Sequence, residues 1–454
     1  MKNIIFSLLT LAAVAPVQAF AQQRPDIIGV IMGSQKAVIA VPDMRGAGRA
    51  SGLMDIVNGT LFRDLEDAAV FKMAPKSMYP TRVPQQPQEF RKPLQYDPAN
   101  RNAAPWLQDW SDPPVNSDYL AFGYAAEQDN QIVLFGWLFN VRQPEVAAAH
   151  VLGKIYFGPI DETGARKVAH EFAADILKQF GVESLAGSKV YFVSNRSGSK
   201  EIWSMDYDGA SQKQITSYKS ISTMPSVSPD GSRIAFTSWA MGQPQILVHS
   251  LETLRRIPFL NPRAGTNQNA SYTADGKQIA FSSSASGFSQ IYMANADGSG
   301  VRRLSNSRAV EVEPKINPKT GNEIVFVSGR GGGSPQVYRM NSDGADVQRL
   351  TTGEGQATNP SWNPQGTHIA FAWTRGYDPG NFNIFVMDVN TREYVQLTSG
   401  TGRNENPVWA PDGKHIVFSS DRGGRGQIWT MLADGTQLRQ LTSAGINEKP
   451  AWSK

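Results

Sequence analysis

The fold of this chain is decided by the stretch Pro407-Val-Trp-Ala-Pro411-Asp412-Gly413-Lys-His-Ile416-Val-Phe418, because variants of it return throughout the C-terminal two thirds. Each variant places an Asp-Gly turn, or a related one, between two short apolar runs, a pattern that favours a tight hairpin of two antiparallel strands. The closing phenylalanines are spaced 45, 45, 45 and 47 residues apart. Such a period is typical of solenoids and propellers. These phenylalanines are Phe236, Phe281, Phe326, Phe371 and Phe418.

The second half of each unit predicts two further strands. In the last unit the apolar pair Ile428-Trp429 precedes a second turn at Asp434-Gly435, and a short strand ends at Gln440-Leu441-Thr442. Four short strands per unit, apolar on both faces, are typical of one propeller blade, because neighbouring blades cover both faces.

The two ends of the repeat region complete each other. The first unit, which begins at Ser188, lacks the Pro-Asp-Gly strand, and the chain ends in that strand alone, Pro450-Ala-Trp-Ser-Lys454. The sequence therefore predicts an all-β six-bladed β-propeller over residues 184–454. Its first blade is closed by the C-terminal strand, which removes the exposed sheet edges that an open array would leave.

Strand direction assigns the loops to two faces of the predicted ring. The Asp-Gly turns fall on one face, and the segments that precede each first strand fall on the other, around the channel mouth. Four glutamates in these segments have three possible roles. They form a solvated rim, a surface for a basic or hydrogen-bonding partner, or the oxygen ligands of a loosely held cation. They are Glu311, Glu313, Glu405 and Glu448.

The first residues of the chain resemble an export signal. Lys2 precedes an apolar run from Ile4 to Val17, and small-residue cleavage sites follow it up to Ala21. Because the run is shorter than the ~20 residues that span a bilayer, we expect residues 1–21 to be removed rather than to anchor the protein. The absence of cysteine in the 454-residue chain excludes disulfides and thiolate sites.

Residues 22–183 predict a small α/β domain with a mixed sheet. Strands are expected at 26–31, 36–41, 119–124, 131–139 and 151–157, since these are short apolar runs. Apolar residues on one helical face predict a helix over 51–65, and a second helix is expected after Asp161, ending near Gly181.

The sequence offers little catalytic chemistry. The five histidines never fall within metal-ligand spacing of one another, and no Gly-x-Ser-x-Gly motif is present. The segment Gly46-Ala-Gly48-Arg-Ala-Ser-Gly52 lacks the Lys-Ser/Thr pair of a phosphate loop. The formal net charge is only +4, and the lysines and arginines are scattered along the sequence, which argues against a nucleic-acid partner. We expect no enzyme activity, no metal and no cofactor.

Taken together, these features resemble the TolB family, the periplasmic propeller proteins of the Tol-Pal envelope system. The resemblance combines the export signal, the α/β domain, and the Pro-Asp-Gly and Ile-Ala-Phe blades with the terminal Pro450-Ala-Trp-Ser. Pro84-Gln-Gln-Pro87, Ala169-His170 and Tyr191-Phe-Val-Ser194 also look like the family. It covers essentially the whole chain after the export signal.

The resemblance implies a monomeric, non-catalytic adaptor in the periplasm, which reaches membranes only through its partners. It would bind the lipoprotein Pal at the channel mouth and TolA through its N-terminal segment, supporting outer-membrane integrity and constriction in cell division. The alternative is a periplasmic peptidase or carbohydrate-processing enzyme that uses the propeller channel. By position, the implied TolA-binding residues are Gln22, Gln23, Arg24, Asp26, Ile27 and Ile28. The implied Pal-binding residues are Thr223, Met224, Asn267, Asn269, Glu311, Glu313, Thr358, Asn359, Asn404, Glu405, Asn406, Asn447 and Glu448.

Overall fold

A computed structural model describes residues 36–91, 104–263, 265–400 and 402–453. The predicted export signal at 1–21, the predicted strand at 26–31 and the six TolA-binding residues lie outside the described residues. The predicted domain boundary between residues 183 and 184 stays a prediction.

The N-terminal domain is built on one six-stranded mixed sheet, as predicted. Its strand order is β3-β1-β4-β5-β6, with β2 also paired to β4. β1 runs parallel to β3 and β4, whereas β4, β5 and β6 are antiparallel. The strands are β1 (Ala37–Ala40), β2 (Arg45–Gly46), β3 (Phe71–Met73), β4 (Tyr119–Gln128), β5 (Gln131–Asn140) and β6 (His150–Pro159).

Two long helices cover this sheet. The helices are α1 (Met54–Asp67), α2 (Gln108–Ser111), α3 (Val146–Ala149) and α4 (Glu162–Gln179), with 3-10 turns at Gly48–Leu53, Lys76–Met78 and Pro87–Glu89. α4 begins where predicted, because the Asp161 carboxylate accepts a hydrogen bond from the Gly164 N–H at 2.8 Å and caps the first turn. Among the described helices, none is both long and apolar enough to cross a bilayer.

The C-terminal domain is a ring of six four-stranded antiparallel sheets, which confirms the predicted fold class. Blade 1 is β30-β7-β8-β9, and blades 2 to 6 are β10–β13, β14–β17, β18–β21, β22–β25 and β26–β29. The strands are β7 (Lys189–Ser194), β8 (Glu201–Asp206), β9 (Lys213–Gln214), β10 (Ser222–Val227), β11 (Arg233–Ser238), β12 (Gln245–Ser250), β13 (Arg256–Ile257), β14 (Asn267–Tyr272), β15 (Gln278–Ser283), β16 (Gln290–Asn295), β17 (Arg302–Arg303), β18 (Glu311–Ile316), β19 (Glu323–Ser328), β20 (Gln336–Asn341), β21 (Gln348–Arg349), β22 (Ala357–Trp362), β23 (His368–Trp373), β24 (Asn383–Asp388), β25 (Tyr394–Gln396), β26 (Asn404–Trp409), β27 (His415–Ser420), β28 (Gln427–Leu432), β29 (Arg439–Gln440) and β30 (Asn447–Trp452).

The C-terminal strand closes the ring in blade 1. β30 pairs antiparallel with β7, so that Trp452 lies opposite Val190. The Trp452 indole N–H donates to the Ser188 hydroxyl at 2.9 Å. Each closing phenylalanine of the repeat is fully buried, because the neighbouring blade covers it. The ring therefore depends on joining the two ends of the repeat region, as the sequence predicts.

The N-terminal domain packs against the face of the ring that carries the Asp-Gly turns. The Tyr207 hydroxyl, in the turn after β8, donates a very short hydrogen bond to the Asp64 carboxylate of α1. His170 of α4 lies 2.6 Å from the same carboxylate. In blade 6, Arg439 pairs with Asp67 at 3.1 Å. The opposite face of the ring, around the channel mouth, carries the candidate site.

Candidate functional site at the channel mouth

The innermost strand of every blade contains a β-bulge at its third residue. In each blade the register with the second strand shifts at this point. The bulged residue adopts a left-handed backbone with φ between 51° and 58°. Asn tolerates this region better than most residues, and three of the six positions carry it. The six residues, called here the bulge ring, are Met224, Asn269, Glu313, Asn359, Asn406 and Lys449.

The bulge ring lines a constriction of the channel, a cavity of about 70 Å³. Some of its members cap one another across blade boundaries. The Glu313 carboxylate accepts from the Asn359 backbone N–H at 2.7 Å and from the Asn359 side-chain amide at 3.0 Å. The Asn406 backbone N–H donates to the Asn359 side chain at 3.3 Å. The strained backbone is therefore held by the neighbouring blade, which fixes the shape of the mouth.

The first residue of each innermost strand is fully buried, so the structure corrects its expected place at the mouth surface. The Glu311 carboxylate accepts from Arg330 Nε at 2.9 Å and from the Ser328 hydroxyl at 2.9 Å. The Arg330 guanidinium in turn lies over the Tyr338 ring, 5.6 Å from its centroid. A similar contact recurs in blade 6, where the Asn404 side-chain oxygen accepts a hydrogen bond from the Arg422 guanidinium. These side chains therefore stabilise their own blades.

The sequence pattern predicts loops at these positions, whereas the structure continues the strand through them. Glu311 pairs with Ser328 at the end of the second strand, because the bulge lets pairing resume above it. Thr223, the second residue of its strand, is also buried, at 4 % exposure. The predicted site residues that the structure buries are Thr223, Asn267, Glu311, Asn404 and Asn447.

Beside the bulge ring, on blades 5, 6 and 1, the mouth widens into a pocket of about 440 Å³. Four acidic and two basic side chains line it, which leaves an acidic surface. The predicted site residues in its lining are Glu313, Thr358, Asn359, Glu405, Asn406, Asn447 and Glu448. The charged residues of its lining that are not among the predicted site residues are Arg403, Asp421 and Lys449.

The ion pairs of this mouth pocket are partly exposed. Arg403 pairs with Glu405 at 2.8 Å, and Lys200 pairs with Glu448 at 2.6 Å. The hydrogen bond and charge of Glu405 raise the pKa of Arg403. Both glutamate side chains remain about a quarter exposed, so an incoming cationic group could exchange for either partner.

One sequence signal pointed to the bulge ring without identifying it. In five blades the bulged residue precedes a proline, as in Glu313-Pro314, and Pro disfavours an α-helical backbone in the residue before it. Pairing of β26 with β27 brings Arg403 next to Asp421, and the Arg403 backbone N–H donates to the Asp421 carboxylate at 2.6 Å.

The histidines serve local contacts rather than a shared centre. His415 lies 2.6 Å from Asp412, and His249 lies 2.8 Å from the Tyr218 hydroxyl. Within the described ranges, no group of three or more His, Asp or Glu residues is arranged to hold a metal ion.

A family model described as the TolB beta propeller domain matches residues 178–378 and 353–454. A TolB homolog of Chlorobium luteolum is 38% identical over 219 residues, 48% of either chain. The Tol-Pal system protein TolB of Anaeromyxobacter dehalogenans is 30% identical over 320 residues, 68% of this chain and 67% of that protein.

Among solved structures, TolB from Acinetobacter baumannii matches with a TM-score of 0.71 at 22% identity, covering 93% of this chain and 98% of that chain. This match supports the fold of both domains. The chain spans about half the length, or less, of the first curated relatives that it matches. The family model alone covers more than half of the chain. On these grounds the chain belongs to the TolB family.

Proposed function

We propose that this protein is a non-catalytic periplasmic adaptor of a Tol-Pal envelope system, which binds Pal at the mouth of its propeller. The observation that carries the proposal is the acidic mouth pocket beside the bulge ring. The family supports it, because relatives such as that of Anaeromyxobacter dehalogenans are named Tol-Pal system proteins. In this proposal the protein supports outer-membrane integrity and constriction during cell division.

The mouth suits a protein partner for a geometric reason. Capping between neighbouring blades holds the bulged backbone, so little ordering is required when a partner binds. The acidic lining suits a segment that carries Lys or Arg, or that donates hydrogen bonds. A stable contact buries about 1,600 Å² in total. The pocket would hold the anchoring side chains, and the surrounding rim would supply the remaining area.

The proposal is tested by reversing charge at the mouth. The double variant Glu405→Lys, Glu448→Lys places cations where the partner is expected to bring its own. We expect purified Pal to bind it at least ten-fold more weakly in calorimetry, a loss of about 1.4 kcal/mol or more. Glu252→Lys, an exposed site elsewhere on the ring, is the matched control and should bind normally.

Unchanged Pal binding by the double variant would contradict the mouth as the binding surface. Turnover of peptides or cell-wall fragments by the wild-type protein would instead favour the enzyme alternative. Thermal unfolding of both variants shows whether the fold is intact, and we expect it to match the wild type because these side chains are partly exposed.

The proposed TolA contact lies in residues 22–31, outside the described residues. Deleting this segment should abolish TolA capture in a pulldown and leave Pal affinity measurable, because the mouth would remain intact. Retained TolA capture would place that contact elsewhere on the chain. N-terminal sequencing of the exported protein should begin at Gln22 if residues 1–21 are removed in the periplasm.

A further inference from the structure

A second tier of side chains surrounds the channel axis directly beyond the bulge ring. Each belongs to the residue at which pairing with the second strand resumes after the bulge. All six line a partly open chamber of about 510 Å³ that extends toward the Asp-Gly turns. The members of this tier are Ser226, Ser271, Lys315, Ser361, Val408 and Ala451.

Lys315 is the one charged residue among the described residues that line the chamber. Its ammonium group has no hydrogen bond or ion pair within the part of the chain that the structure describes. Burial lowers the pKa of Lys315, and the charge of Glu313 offsets this effect only in part. The Lys315 side chain is partly buried, and the charge of Glu313 compensates its ammonium only in part, so a bound anion would stabilise the charged form.

Serine hydroxyls supply further donors in the same tier. Ser271 Oγ accepts from the Ile316 backbone N–H, and Ser361 Oγ accepts from the Trp409 backbone N–H, each at 3.4 Å. A hydroxyl that accepts in this way still has its own proton to donate. Ser226, on the same tier, adds a third hydroxyl.

We propose that this chamber binds a small carboxylate anion against Lys315, with the serine hydroxyls donating to its oxygens. A charge-assisted hydrogen bond from an ammonium to a carboxylate is among the strongest in proteins. One lysine neutralises one negative charge. A phosphate dianion would leave a charge uncompensated near Glu313, and a metal cation would be repelled by the lysine. The carboxylate is therefore the class that the site fits.

The proposal is tested by ligand-observed NMR with sodium acetate and the full-length protein. Saturation transfer to the acetate methyl group should be saturable. In Lys315→Gln the affinity should fall about tenfold or more. Lys319→Gln, which changes an exposed lysine four residues away, is the matched control and should bind acetate like the wild type.

Two further variants keep the test decisive if Lys315→Gln unfolds. Lys315→Arg keeps the cation and should retain binding, whereas Ser226→Ala keeps the lysine and should weaken it several-fold. No saturable transfer in the wild type, or equal affinity in Lys315→Gln, would overturn the proposal. Displacement of acetate by inorganic phosphate at a lower concentration would overturn the carboxylate class. No partner protein is present, so the result is separate from the Pal proposal.

Discussion

The two faces of the propeller use their charged side chains differently. On the turn face, the Asp64 side chain is 5% exposed and contacts both Tyr207 and His170, joining the two domains. On the mouth face, the pairs Arg403–Glu405 and Lys200–Glu448 have partly exposed members. Removing one partner of a buried pair costs several kcal/mol, whereas an exposed pair contributes about 0–1 kcal/mol. The turn-face charges therefore serve assembly of the protein, and the two partly exposed mouth pairs, unlike the buried Glu311–Arg330 pair, are available for recognition.

The largest effect is expected from opening the ring on which both faces depend. Deleting Pro450–Lys454 removes half of β30 and the Trp452 contacts with blade 1. Trp452 is only partly buried, so loss of its side chain contributes up to about 3 kcal/mol, and the lost pairing of β30 with β7 adds to this. We expect thermal unfolding at a markedly lower temperature, measured by calorimetry. A parent-like melting temperature would contradict closure by this strand.

The next largest effect is expected at the turn face. Asp64→Ala removes the acceptor shared by Tyr207 and His170, so unfolding free energy in urea should fall by about 3 kcal/mol. Asp55→Ala, on the exposed side of the same helix, should change it by less than about 0.5 kcal/mol. Equal effects of the two variants would remove the distinction between the buried and exposed charges of α1.

A smaller effect is expected from titrating the turn face. Burial lowers the pKa of His170, but its hydrogen bond to Asp64 and the charges of Asp64 and Asp208 outweigh this and raise it overall. A raised folded-state pKa stabilises the protein below the unfolded value of about 6.5, and this stabilisation is lost as pH rises through the folded value. The stability difference between wild type and His170→Gln should therefore shrink from pH 5.5 to pH 8. Urea unfolding across this range measures it, and a difference that grows with pH would refute the sign.

The smallest effect on stability is expected at the mouth. Arg403→Ala breaks an ion pair whose arginine is 59% exposed, so unfolding free energy should change by less than about 1 kcal/mol. Urea unfolding checks this. A loss of unfolding free energy as large as that of Asp64→Ala would show that the mouth pairs hold the ring together. The two faces would then not differ in how their charges contribute to stability.

The fold was predictable because its signals are local and repeated. The Asp-Gly turns, the period of the closing phenylalanines and the incomplete repeat at each end all follow from short-range sequence, and the structure confirms the six blades. The α/β domain was predictable for the same reason. Its helix α4 shows both an N-terminal cap at Asp161 and a regular apolar face.

The candidate site was only partly predictable. Strand direction predicts which segments surround the channel mouth, but not which of their side chains reach the surface. A bulge shifts the alternation of side chains by one residue, so Glu311 turned inward to Arg330 while Glu313, two residues later, lines the channel. The sequence around Glu311 resembles that around Glu313, so the sequence alone does not distinguish the buried glutamate from the one that lines the channel.

The number of blades, the closing strand and the mixed sheet of the first domain follow from the sequence, because each depends on local periodicity and turn chemistry. The contact of α1 and α4 with the turn face follows only from the folded structure, and so does the position of Lys315, whose ammonium has no ion pair among the described residues. Burial and long-range contacts determine whether a charged side chain is paired, and neither can be predicted from neighbouring residues in the chain.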